Sequence, residues 1–204
     1  MPFKIAQLTD CHLHHNPNTI HNGIHVYQSL QNVLQQLDHL NLDSLIFTGD
    51  MAHDERADTY QHYLDLTQSF SQPIYWIPGN HDNPAAMTQT LAHRNWSAAK
   101  HVDLGAWRII LLNSHCNGEV GGELTASELQ RLQTLLDTWA GPVIIFLHHH
   151  ITIANVFNEA PAIALANSAA LLSLLSPYRH QIQAVISGHL HADNSYHQHG
   201  LHFL

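Results

Sequence analysis

The chain has 204 residues, of which 45% are hydrophobic, only 11% are Asp, Glu, Lys or Arg, and 21 are histidine. That length and apolar content suit one globular domain, residues 1–204, and are too small for two ordinary ones. With histidine neutral the net charge is −9, against seven Lys and Arg, which argues against bulk-charge binding to nucleic acid or anionic membranes. Apolar runs of strand length and segments of helical spacing alternate along the chain. Phe3–Leu8 reads as a strand. Ile24, Tyr27, Leu30, Leu34, Leu37 and Leu40 then step by three and four, the period of a helix. Leu45–Thr48 is a second strand, Tyr60, Tyr63, Leu64 and Leu66 lie in a second helical segment, and Ile74–Ile77 is a third strand. Ile109–Leu112 is a fourth. A helix over Leu124–Trp139 opens with a capping box, Thr125 and Glu128. Val143–Leu147 is a strand, residues 151–161 a loop, and residues 164–175 a helix that stops before Pro177. Ala184–Ser187 is the last clear strand. Most of these strands are continuously apolar rather than alternating, as in strands buried on both faces. The expectation is an α/β protein with a mostly parallel sheet.

Cys11 and Cys116 are the two cysteines and form no C-x-x-C pair, so a reducing cytosol is expected rather than a disulfide framework. MPFKIAQLTD lacks the pattern of a signal peptide, and no apolar run approaches the ~20 residues of a membrane span. These features predict a soluble cytoplasmic protein. With so few cations in the chain, any bound phosphate would have to meet positive charge brought by metal ions.

In open α/β sheets, sites gather at the carboxyl ends of the strands. Those ends carry a consistent chemistry here. Asp10-Cys11-His12 follows the first strand, Gly49-Asp50 the second, and Gly79-Asn80-His81-Asp82 the third. His148 follows Val143–Leu147, and Gly188-His189-Leu190-His191 follows Ala184–Ser187. No glycine-rich phosphate loop of the G-x-x-x-x-G-K type occurs. Carboxylate oxygens and imidazoles without thiolate suit iron, manganese, zinc or cobalt. Seven such donors exceed one tetrahedral site but fit two ions if one carboxylate bridges, and two ions about 3.5–4 Å apart are the usual clamp for in-line attack at phosphorus. A lone histidine is ordinarily a solvated or core residue. Five fragments, each closing an apolar strand, are a different matter. In the run His148-His149-His150, alternation on an extended backbone turns His149 away and His150 back toward the cluster. His150 is then either a contact for substrate phosphate or a polar loop residue. The loop 151–161 directly after it is either a cover for the site or an ordinary connection.

The series D10-x-H12, G49-D50, G79-N80-H81-D82, H148, G188-H189-x-H191 resembles the calcineurin-like metallophosphoesterase superfamily, over Phe3 to about His191. LIFTGDMAHD, PIYWIPGNHD and ILLNSHCNGEVGGELTASELQRLQTLL are similar to its class III cyclic-nucleotide phosphodiesterases. The resemblance implies an α/β/β/α sandwich and two transition-metal ions, iron and manganese foremost, with zinc or cobalt as alternatives. It implies one ion held by Asp10, His12 and His191, the other by Asn80, His148 and His189, and Asp50 as bridge. A metal-bound hydroxide would attack phosphorus. His81 would act as general acid or stabilise phosphoryl charge, and Asp82 would orient His81 or support the loop; Asn80, His81 and His150 would meet substrate. The implied reaction is phosphodiester hydrolysis, 3′,5′-cAMP being the natural substrate. A phosphomonoester, glycerophosphodiester or nucleotide-pyrophosphate hydrolase, or a truncated non-catalytic metal-binding protein, are the alternatives. The chain departs from the family in carrying His148-His149-His150-Ile151 in place of His-His-Pro-Pro. It also reads Gly23-Ile24-His25-Val26 where the class III branch often shows Asn-Thr after Gly-Val. It ends at Leu204, where the family continues with further strands; an edge left open this way would favour a homodimer.

Overall fold

The computed structural model describes residues 3–151 and 162–204. The chain falls into two compact units, Met1–Ala98 and Ala99–Leu204. In the first, β1 (Ile5–Leu8), β4 (Ser44–Thr48), β5 (Ile74–Ile77) and β6 (Trp96–Ser97) form a four-stranded sheet in that order, parallel throughout. A two-stranded ribbon of β2 (Ile20–His21) and β3 (Ile24–His25) precedes helix α1 (Val26–Asp38); α2 (Ala57–Leu66) and α3 (Pro84–Thr90) follow β4 and β5. Every residue of SLIFT in β4 and IYWI in β5 is buried, as the apolar runs LIF and IYWI require of strands covered on both faces. Phe47 stacks on Trp96 and meets Tyr63 edge-on, at ring-centroid distances of 5.3 and 5.2 Å. Leu30 and Leu34 of α1 and Tyr60 and Tyr63 of α2 join the same core.

The second unit contains β7 (His101–Leu104), β8 (Trp107–Leu111), α4 (Ala126–Asp137), β9 (Val143–Phe146), α5 (Ser168–Leu175), a 3₁₀ turn at Ser176–Tyr178, β10 (Ile182–Ile186), β11 (Tyr196–Gln198) and β12 (Leu201–Phe203). Its sheet runs β11-β12-β10-β9-β8-β7. The four inner strands are mutually parallel, while β7 and β11 flank them antiparallel. Ile110, Ile145, Leu147 and Val185 pack with Leu132 and Leu136 of α4 and Leu171 and Leu175 of α5. Arg108 is buried beneath α4. It forms a two-pronged ion pair with Asp103 (2.7 and 2.8 Å), donates to the Leu135 carbonyl and lies 4.4 Å over the Trp139 ring.

The observed elements differ from the sequence reading at identifiable points. Helix α1 begins at Val26, because Asn22 and Gly23 both take positive φ (47° and 81°) and turn the chain as a two-residue hairpin that draws Ile24 into β3. Helix α5 begins at Ser168, not near residue 164; Leu165 N instead donates to His150 O and Ala166 N to Gly122 O. Only half of the capping box forms. Thr125 Oγ1 accepts from Glu128 N at 3.1 Å, but the Glu128 carboxylate accepts from Asn113 N and pairs with Arg131. Helix α3 and the short strands β6 and β7 were not anticipated as such. The cover suggested for residues 151–161 falls on 152–161, outside the described residues. Among the described residues no helix is long and apolar enough to cross a membrane.

Candidate metal centre

In the first unit the loops after β1 and β4 run on together. Asp10 N donates to Gly49 O (3.1 Å), His12 N to Asp50 O (2.9 Å) and Leu13 N to Met51 O (2.9 Å). Asp10, His12 and Asp50 all adopt left-handed backbone, with φ of 53°, 45° and 48°. Such φ values cost a side-chain-bearing residue of order 1 kcal/mol each and persist where the surroundings impose them. The His12 ring and the Asp50 carboxylate are buried, with Nε2 3.6 Å from Oδ2. Asp50 Oδ1 accepts from His81 N at 2.9 Å, which ties the end of β4 to the end of β5. Asn80 and His81 are partly exposed there.

Asp82 is 2% exposed, and its carboxylate accepts from the backbone N–H groups of Met51, Ala52 and Gly79 and from the Tyr60 hydroxyl. Burial pushes its pKa up to about 6 against the opposing pull of those N–H donors. Its contacts therefore fix the two loops that carry Asp50 and Asn80. Cys11 lies among these carboxylates, but burial, opposed by its hydrogen bond with Tyr63 and reinforced by Asp10, Asp82 and Asp50, pushes the thiol up to about 12. It stays protonated, so thiolate chemistry is not available there.

In the second unit the ends of β9 and β10 are joined by Leu147 N to Ile186 O (3.1 Å) and Gly188 N to His148 O (3.0 Å). His148 is fully buried and its ring centroid lies 5.0 Å from that of His189. His189 and His191 are left-handed as well, with φ of 73° and 49°. Of the three consecutive histidines, His149 is committed to its neighbours: Nδ1 accepts from Ser114 Oγ (2.8 Å), which leaves Nε2 to donate to Val120 O (3.2 Å). So although His148, His149 and His189 each bring a nitrogen within 4.8 Å of the others, His149 is built into the core. His150 is buried, its ring near-parallel to that of His189 with centroids 5.9 Å apart. Burial, then the neighbouring His189 and His148, lowers its pKa to about 4, so it is neutral at pH 7. It lines a small hollow with Leu147, Val185, Leu190, Tyr196 and Phe203.

Each unit thus gathers its own share of the expected donors: Asp10, His12, Asp50 and Asn80 in the first, His148, His189 and His191 in the second. Their oxygen and imidazole atoms, with no thiolate among them, are the set that divalent transition ions accept. The sequence reading did not single out His53. Its Nδ1 is 3.3 Å from His12 Nδ1 and its ring stacks on His81 at 4.8 Å. Burial and the imidazoles of His81, His21 and His14 lower its pKa. Its place three residues after Asp50 was the available signal.

Residues 3–193 match the family model for calcineurin-like phosphoesterases. The chain is 34% identical to a 3′,5′-cyclic-nucleotide phosphodiesterase of Nostoc sp., over 100% of this chain and 77% of that protein. It is 32% identical to the 3′,5′-cyclic adenosine monophosphate phosphodiesterase CpdA of Escherichia coli, over 93% of this chain and 70% of that one. In structure it is similar to a dimetal phosphatase from Danio rerio, with a TM-score of 0.70 at 17% identity over 98% of this chain and 86% of the other. The left-handed strand-end donors and these matches agree: the chain belongs to the calcineurin-like phosphoesterase family, metal-dependent hydrolases that bind two divalent ions.

Proposed function

We propose that this enzyme is a cyclic-nucleotide phosphodiesterase acting on 3′,5′-cAMP. The observation that carries the proposal is the donor set: seven Asp, Asn and His residues at the ends of parallel strands, five of them held in left-handed backbone. The substrate class is supported by the names of the Nostoc and Escherichia coli relatives. Asp10, His12 and His191 would hold one ion and Asn80, His148 and His189 the other, with Asp50 shared. The reading requires residues 1–204 to work as one domain, in the cytoplasm, with iron or manganese as the native metals. A homodimer is compatible with it. When bound, the ions supply charge to the phosphoryl oxygens and make water a better nucleophile.

The chain's own groups do the rest. Asp50, anchored by the N–H of His81, is kept in a fixed orientation. The His81 imidazole, standing on the same loop as Asn80, donates a proton to the leaving oxygen of the ribose. Asp82 acts through that loop as a positioning residue. His150, neutral at pH 7, offers a ring N–H to a phosphate oxygen.

The test is a panel of 3′,5′-cAMP, cGMP, 2′,3′-cAMP and phosphomonoesters on one Mn²⁺-loaded preparation, with bis(p-nitrophenyl) phosphate as reference. The expected result is the highest kcat/KM for 3′,5′-cAMP. Preference for a phosphomonoester sinks the substrate assignment, and no turnover with Mn²⁺, Fe²⁺ or Co²⁺ in a folded sample sinks the enzyme reading. Asn80→Ala and His148→Ala should each lower metal content or turnover by about 10²-fold or more, and His150→Ala by much less. A larger effect from His150→Ala would reassign the ligand in that run.

A further inference from the structure

We propose that His14, His21 and His53 form an additional metal site, selective for zinc-type ions and separate from the seven-residue set. The three come from different places in the first unit: His14 from the loop after β1, His21 from the ribbon strand β2, and His53 from the loop after β4. One nitrogen of each lies within 4.8 Å of the other two. His14 Nε2 and His21 Nδ1 are 3.4 Å apart. Two imidazoles bound tetrahedrally at about 2.0–2.1 Å from zinc stand about 3.3–3.4 Å apart along the tetrahedron edge, so this pair already has the spacing a shared ion requires. All three residues are partly exposed, which leaves an entry path and a fourth position for water.

The ligand chemistry sets the ion class. Three imidazoles and no carboxylate suit Zn²⁺, Ni²⁺, Co²⁺ or Cu²⁺ and are a poor site for Mg²⁺, Ca²⁺ or Mn²⁺, which prefer oxygen. The seven-residue set, with two aspartates and an asparagine, is harder. His53 links the new site to the seven-residue set, because its Nδ1 faces His12 Nδ1 at 3.3 Å and its ring stacks on His81. An ion on His53 restrains a ring that touches both a proposed ligand and the proposed acid.

The experiment uses the untagged full chain, equilibrated with excess Zn²⁺, desalted, and assayed for zinc per chain by mass spectrometry. Wild type is compared with His14→Ala/His21→Ala and, as a milder change on the partly exposed ribbon, His21→Gln, with circular dichroism as the folding check. The proposal expects one equivalent fewer in the double variant. Adventitious zinc at the stacked pair of exposed His197 and partly exposed His202, whose centroids are 4.2 Å apart, is common to all samples and cancels. Equal zinc in wild type and folded variants overturns the site. Loss of every ion from a folded variant overturns its independence from the seven-residue set. Neither outcome depends on which phosphoester is hydrolysed.

Discussion

Replacing Asp82 with alanine strands several donors at once. Its carboxylate accepts from Met51 N at 3.2 Å, Ala52 N and Gly79 N at 2.9 Å, and the Tyr60 hydroxyl at 3.1 Å. The Tyr60 hydroxyl also accepts from Asn83 N at 2.8 Å, so it keeps a partner, whereas the three backbone N–H groups do not. A buried donor left without an acceptor costs about 1–3 kcal/mol. A water molecule in the vacated space can satisfy one or two of them, which brings the expected loss to about 3–5 kcal/mol. That is a large part of the ~5–15 kcal/mol available to a domain. Asp82→Asn keeps one carbonyl oxygen but turns an amine toward an N–H, for about 1–3 kcal/mol. Tyr60→Phe removes a single hydroxyl, for about 1–2 kcal/mol. Urea unfolding of metal-free protein, followed by far-ultraviolet circular dichroism, separates these losses from any effect on metal affinity. An alanine variant that loses less than about 1 kcal/mol, or an asparagine variant less stable than the alanine one, refutes the clamp.

Two further perturbations follow from local geometry. Partial burial alone would raise the Asp54 pKa, but hydrogen bonds from Thr59 Oγ1, His15 N, the His15 ring and Arg56 N hold it down to about 2. A carboxylate depressed on folding stabilises above its unfolded pKa and loses that contribution as pH falls through the folded value. Asp54→Asn should therefore cost about 1–2 kcal/mol at neutral pH, discounted for contact with water, with the gap to wild type closing between about pH 4 and pH 2. Urea midpoints across that range check it, and a gap that persists at pH 2 contradicts it. A methyl group at Gly122 would run into the His149 ring and lie 2.7 Å from Ser114 O. Gly122→Ala should cost about 2–4 kcal/mol and lower the melting temperature accordingly; an unchanged melting curve counts against the packing described for His149.

The strand ends were legible because their chemistry is abrupt: a run such as LIFT or IYWI stops and Asp, Asn or His follows. Helix α3 was not, since seven residues carry too little periodicity. Its signal was local: Asn83, whose Oδ1 accepts from Ala85 N and Ala86 N, directly before Pro84 in the first helical turn. The strands β7, β11 and β12 are short and flank the apolar runs that dominate the pattern. The β11–β12 hairpin depends on a turn at His199-Gly200, both with positive φ, that composition does not announce. The triad of His14, His21 and His53 was beyond sequence pattern, because in a chain with 21 histidines nothing distinguishes a partner brought across about 40 residues by parallel pairing of β1 with β4. Alternation along the strand already set His149 apart from His148, but the partners that hold its ring, Ser114 and Val120, lie 35 and 29 residues away in the chain and no local pattern points to them.

The left-handed conformation at Asp10, His12, Asp50, His189 and His191 also constrains which sequences the site can drift through. At these positions the main chain itself selects against valine, isoleucine and threonine, and asparagine, aspartate and glycine are the residues it admits most readily. Of those, only aspartate and asparagine retain an oxygen donor. The carboxylate positions can thus exchange charge for neutrality by single substitutions while keeping their shape. The histidine positions have no equally comfortable neighbour that still binds through nitrogen. Homologous sequences built on this backbone should vary in the charge of their oxygen donors sooner than in the placement of their imidazoles.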